Sequence, residues 1–156
     1  MSKSLRRIEA ALTDAGVPAS ILAMHGETRT AADAAREAQC EIDQIAKSII
    51  FRGQKSDATV LFITAGGNQV DPAKASVLAD EALGRADAAF VRAQTGFAIG
   101  GVAPIAHKTA PRAFFDPRLL AFDTVYAAAG TPRHIFGISP SVLCTLAAAN
   151  QAVFTH

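Results

Sequence analysis

The chain reads as an α+β domain: a mixed, strongly curved sheet with helices around it. Three observations predict this. Thr59-Val60-Leu61-Phe62-Ile63-Thr64 is apolar on both alternating faces, as a strand buried on both sides must be. Several segments carry apolar residues at helical spacing behind a capping residue. Strands and helices are interspersed without strict βαβ alternation, which argues against a doubly wound parallel sheet. A length of 156 residues suits one domain, spanning 1–156, with a core that needs no staples.

In order, Ser4 is placed to cap a first helix with Leu5, Ile8, Leu12 and Ala15 on one side and Gly16 as its stop. Ile21–Met24 is a short strand after the Val17-Pro18 turn. Thr30 opens an alanine-rich helix to about Ala38, with Asp33 in its first turn. A strand carrying Lys47 ends near Arg52, and 53–57 is a polar turn before the strand 59–64. Ala65-Gly66-Gly67-Asn68 has a hairpin composition, with Gln69-Val70 continuing beyond it.

Asp71-Pro72 is an N-cap and N1 pair for a helix to about Leu78, and Asp87 starts another over 88–95, closed by Gly96. From Gly96 the chain reads as an apolar strand that breaks at Gly100-Gly101, then passes Val102, Ala103 and Pro104 to His107. Phe114–Leu120 is a strand and a proline-initiated turn. Thr124–Ala129 and His134–Ile138 are strands joined by 130–133. Ser139-Pro140 caps a last helix with Val142, Leu143, Leu146 and Ala149 on one side.

Net charge is +1, so no global field announces nucleic acid. A local patch is expected instead, drawn from Lys47, Arg52, Lys55, Lys108, Arg112, Arg118 and Arg133. The two cysteines, Cys40 and Cys144, lack metal spacing, and the four histidines show no metal-binding pair, so neither metal nor cofactor is expected. No membrane span or cleavable leader is read, so a cytoplasmic protein is expected.

Two stretches carry the chemistry. Lys47 sits among apolar, β-prone residues, where a lysine must snorkel or find a polar partner in a cleft. The Gly100–Pro104 loop pairs glycines, which admit close approach, with a proline that fixes the turn. Asp116 and Asp123 are the carboxylates nearest the late strands and read best as turn residues. Ser139 and Ser141 read as caps, without a Ser-His-Asp order or a nucleophile elbow.

Ala46-Lys47-Ser48, the Gly-x-x-x-Pro loop from Gly100 to Pro104, and the segment from Phe122 to Pro140 resemble the YbaK/ProRS-associated family of aminoacyl-tRNA deacylases. The resemblance runs in the family's order over nearly the whole chain. It implies an α+β, barrel-like editing-domain fold and hydrolysis of the ester of a mischarged tRNA, plausibly a proline tRNA carrying Cys, Ala, Ser or Thr. It implies that Lys47, Gly100 and Gly101 do the chemistry, while Val102, Ala103, Pro104, His107 and Ser139 bind substrate. The partners implied are the 3′ acceptor end of an aminoacyl-tRNA and a prolyl-tRNA synthetase. Ala103 departs from the polar residue of many relatives, and a carboxylate of some relatives has no counterpart around 135–137. Two other readings stay open: a non-catalytic module binding an amino acid or an RNA 3′ end, and a different small hydrolase on the same fold.

Overall fold

The computed structural model describes residues 2–18, 20–26 and 30–156. Among them, α1 (Lys3–Asp14), β1 (Ser20–Ala23) and α2 (Ala31–Ala38) lead into β2 (Ala46–Gly53) and β3 (Thr59–Ala65). Then come α3 (Pro72–Ala79), β4 (Leu83–Arg85), α4 (Ala88–Thr95) and β5 (Arg112–Phe115). A short 3-10 turn at Pro117–Ala121 precedes β6 (Val125–Ala128), β7 (His134–Ile138), α5 (Pro140–Leu146) and β8 (Ala149–Gln151).

The strands form two sheets, one ordered β4-β2-β3-β5-β8 and one ordered β1-β7-β6. The larger is mixed: β2 runs antiparallel to β3 and β4, while β3, β5 and β8 are parallel. The α+β class and mixed sheet therefore stand, but the strands do not close into a barrel. An isolated parallel bridge, Ile45↔Tyr126, ties the two sheets together.

β3 is the central strand, and its alternation builds two cores. Leu61, Ile63 and Ala65 face a cluster that includes Leu5, Ile8 and Leu12 of α1 and Phe136. Val60 and Phe62 face the other way, into Ala75 and Ala79 of α3 and Phe154. Phe62 meets Phe51, Phe114 and Phe154 at centroid distances of 5.7, 5.3 and 5.0 Å. Across the ladder Ile49 opposes Phe62, and Lys47 opposes Thr64 at the strand's end. Lys47 thus belongs to the α3 face, just beyond its apolar part.

Several expectations are corrected. Ser2, not Ser4, caps α1, its Oγ accepting from the Leu5 N–H at 3.0 Å. Residues 65–70 make no hairpin, because the strand beside β3 after them is the parallel β5. Residues 96–99 form no strand; Phe97 is fully buried and anchors an irregular loop. Ala149 lies in β8 rather than on α5, which ends at Leu146 before Ala148 turns to φ +50°. Ser139 occupies the N-cap position without capping; its Oγ meets Ser141 Oγ at 3.1 Å.

Candidate functional site

A cavity of about 490 Å³ opens between β2, α2, α4, β6 and the loop that follows α4. Its lining is mostly apolar, including Ile45, Ile50, Val91 and Ile135, with Lys47, Ser48, Gly100 and Val102 also in its wall. Ile99, 58 % exposed, stands at the rim.

Lys47 is delivered by the β2–β3 ladder and held by the polar end of β3. Its Nζ donates to the Asn68 carbonyl at 2.6 Å. The Asn68 side chain donates to Asp116 Oδ2 at 2.9 Å, and that same oxygen accepts from the Ala65 N–H at 3.1 Å. Asp116, 4 % exposed, also caps the 3-10 turn through the Arg118 N–H. Asp43 accepts from Gly67 N–H and Arg118 Nε at 2.8 and 2.9 Å. Partial burial lowers the Lys47 ammonium from its ordinary 10.5, while the Asp116 and Asp43 carboxylates pull it back up. One ammonium proton is used by Asn68, and two remain for a ligand.

The opposite wall is the loop 96–107, whose ends are drawn together. The Lys108 N–H donates to Thr95 O at 3.1 Å and the Thr109 N–H to Gln94 O at 2.9 Å. Arg7 of α1 reaches into this closure. Its Nη2 donates to Thr95 O at 3.3 Å and to Ala106 O, and its guanidinium lies 4.7 Å from the Phe97 ring centroid. Ala106 has φ +61°, a left-handed conformation costly for a residue with a Cβ, so the contact to its carbonyl holds a strained point. His107 faces inward, its Nε2 at 2.6 Å from Ala103 O and its ring edge-on to Phe97. Burial lowers its pKa from 6.5, the bond to Ala103 O opposes that, and nearby Arg7 adds to the lowering.

The glycines have separate tasks. Gly100 lines the cavity at φ +96°. Gly101 is buried, and a Cβ there would lie 2.8 Å from the Thr131 backbone. Its N–H is used within the loop, on Ala98 O at 3.0 Å. The Gly100 and Val102 amides have no hydrogen-bond partner among the described residues. Thr131 is itself fixed by His134, whose Nδ1 lies 2.7 Å from its Oγ1.

The fold therefore brings Lys47, Gly100 and Val102 to one cavity, while Gly101, Ala103, Pro104 and His107 belong to the same loop without lining it. Ser139 lies elsewhere, in a second cleft with Asp123, Thr124 and Gly137; Tyr126 borders both. The cations expected to form one patch are largely engaged apart: Arg52 with Asp57, Arg112 with Glu81, Arg118 with Asp43. Among the described residues no group of three or more His, Cys, Asp or Glu could hold a metal ion, and no helix is long and apolar enough to cross a membrane. Arg7 was invisible beforehand, since its partners lie 88 and 99 residues away.

A family model of the aminoacyl-tRNA editing domain matches residues 25–146. The uncharacterized protein YwhH of Bacillus subtilis (strain 168) is 31% identical over 114 residues, 73% of this chain and 72% of that protein. A solved structure provisionally assigned as a trans-editing enzyme for prolyl tRNA synthetase is 39% identical with TM-score 0.92, covering 100% of this chain and 99% of its own. The hypothetical protein APE2540 is 25% identical with TM-score 0.87, covering 96% and 99%.

Proposed function

The chain belongs to the aminoacyl-tRNA editing domain family, and from that premise we propose that it is a trans-acting deacylase for a mischarged tRNA. The substrate is a tRNA carrying a wrong small amino acid, with a proline tRNA favoured by the likeness to a structure provisionally assigned to prolyl-tRNA editing. One arrangement carries the reading: an apolar cavity lined by Lys47 on one side and by Gly100 and Val102, whose amides are unspent among the described residues, on the other.

An aminoacyl ester is already activated, so the protein need mainly position it. Water adds to the ester carbonyl carbon, the bond to the terminal ribose oxygen breaks, and a proton passes to that oxygen. Free amino acid and tRNA result. The Gly100 and Val102 amides face the carbonyl oxygen as it takes negative charge. Lys47 holds the 3′ end with its remaining protons, a task that needs only positive charge. The substrate's own 2′-OH assists the proton transfer. Selection among small side chains rests on cavity shape, where one methylene is worth about 1–3 kcal/mol.

The test is deacylation of a panel of mischarged tRNAs by wild type and Lys47→Ala. Hydrolysis of one or two pairs, reduced about 100-fold or more in the variant at unchanged thermal stability, is expected. No hydrolysis across the panel would replace the enzyme with a binding module. Undiminished hydrolysis by the variant would keep the enzyme and remove Lys47 from its centre.

A further inference from the structure

The side of β2 that faces away from β3 is covered at both ends and open between them. β4 pairs with it from Phe51 to Gly53, and β6 touches it through the Ile45↔Tyr126 bridge. Residues 46–50 have no strand partner on that side among the described residues. In an antiparallel ladder successive residues direct their peptide groups to opposite neighbours. Gly53 N–H goes to Ala58 O on the β3 side, and Gln54 N–H goes to Ala82 O on the β4 side, both at 2.9 Å. Ile63, which opposes Ser48, turns its carbonyl to the Asp116 N–H beyond β5. These bonds agree on one phase: Ser48 directs N–H and C=O away from β3 into the open stretch, and Ile50 does so at its edge, where the β4 pairing begins.

Both residues line the cavity. The Ser48 hydroxyl is buried and has no hydrogen-bond partner among the described residues. Unpaired peptide groups away from bulk water are costly and invite a partner. The opening is short: Ser48 and Ile50 stand about 7 Å apart at roughly 3.4 Å per residue, and β4 and β6 stop any longer strand from adding on. It admits one amino-acid unit, not a peptide. The main chain of an aminoacyl ester offers one donor, its α-ammonium, and one acceptor, its carbonyl oxygen. That is the complement of the C=O and N–H of a single strand residue.

We propose that Ser48 holds the main chain of the aminoacyl group as a one-residue β-bridge. Its C=O accepts from the α-ammonium, and its N–H donates to the ester carbonyl oxygen from the wall opposite Gly100 and Val102. This rests on the deacylase reading and adds a requirement to it, a free α-amino group on the substrate. N-acylated esters, including peptidyl-tRNA, then lack the charge and the room to bind.

The experiment uses the full chain and the mischarged tRNA it hydrolyses fastest, with and without an N-acetyl group, and the variant Ser48→Pro. Proline removes the N–H on the open side and leaves the β3 ladder bonded. The expected result is cleavage at least about 100-fold slower for the N-acetyl substrate and, for Ser48→Pro with an unchanged circular dichroism spectrum, a similar loss in kcat/KM. Equal cleavage of the N-acetyl substrate would overturn the bridge, as would a folded Ser48→Pro within tenfold of wild type. Should that variant not fold, the N-acetyl comparison on wild type decides alone. Binding of a non-hydrolysable 3′-aminoacylamido adenosine and its N-acetyl form is measured alongside. If wild type turns over no charged tRNA, the deacylase reading falls, and a binding difference between those two compounds still decides the bridge.

Discussion

The two walls of the cavity are built by different means. The β2 wall is part of a ladder, its residues fixed by register with β3 and by burial on both sheet faces. The loop wall has no ladder. It is held by side chains from distant parts of the chain: Arg7 at its closure, His107 inside it and Thr131 against Gly101. A wall held by a ladder is coupled to global stability. A wall held by a few clasps can be displaced while the fold survives. Damage to the packing behind the first should therefore be read in unfolding, and damage to the clasps of the second in turnover.

The largest effect expected is Phe62→Ala, which empties the centre of the aromatic cluster behind β3. It should cost about 3–5 kcal/mol in denaturant unfolding, while the folded fraction keeps its kcat. A selective loss of kcat would break the contrast. Gly101→Ala should do the reverse. The added Cβ meets Thr131 backbone at 2.8 Å, which no side-chain rotation relieves. A shift of roughly 1 Å in the loop can cost about 100-fold in turnover, with only a modest fall in melting temperature. Arg7→Ala comes next, losing the two carbonyl contacts and the ring contact. About tenfold in kcat/KM is expected from a few net hydrogen bonds of roughly 0.5–1.5 kcal/mol each. Arg7→Lys should recover little, because an ammonium lacks the planar fork that reaches Thr95 O and Ala106 O together.

The same division explains what could be read in advance. The ladder wall was legible because it is local and periodic: β3 declared itself by an unbroken apolar run, and Lys47 by interrupting another. The helix caps Thr30, Asp71 and Asp87 were legible for the same reason, each acting within three residues. β4 and β8 were not, since three residues are too few to show a period. The loop was noticed through its glycines and proline, yet its start at 96–99 was mistaken for a strand, because Phe97 and Ile99 carry apolarity that serves a core anchor and an exposed rim. Ser139 was assigned to the site through the family resemblance, and the structure places it in a second cleft. The curvature that sends it to another cleft lies in how β6 and β7 pair, which its own neighbours do not encode. Clasps such as Arg7 join residues far apart in the chain and leave no local pattern.

The smallest effect concerns acid. His107 is packed against Phe97, its Nε2 engaged by Ala103 O and its Nδ1 buried without a hydrogen-bond partner among the described residues. Protonation would put a donor with nothing to receive it beside the Arg7 guanidinium, and its folded pKa is accordingly held below 6.5. With the folded value below the unfolded one, the unfolded chain binds more protons in the window between them. Stability then rises with pH across that window; the contribution is complete above the unfolded value and is lost as pH falls through the folded one. Thermal unfolding between pH 7.5 and pH 5 should show wild type losing more than His107→Gln, whose amide can still donate to Ala103 O but does not titrate. The loss can be no steeper than about 1.4 kcal/mol per pH unit for one proton. Parallel curves for the two proteins would mean that the loop opens enough to hydrate the imidazole, and that the clasped wall is looser than its contacts imply.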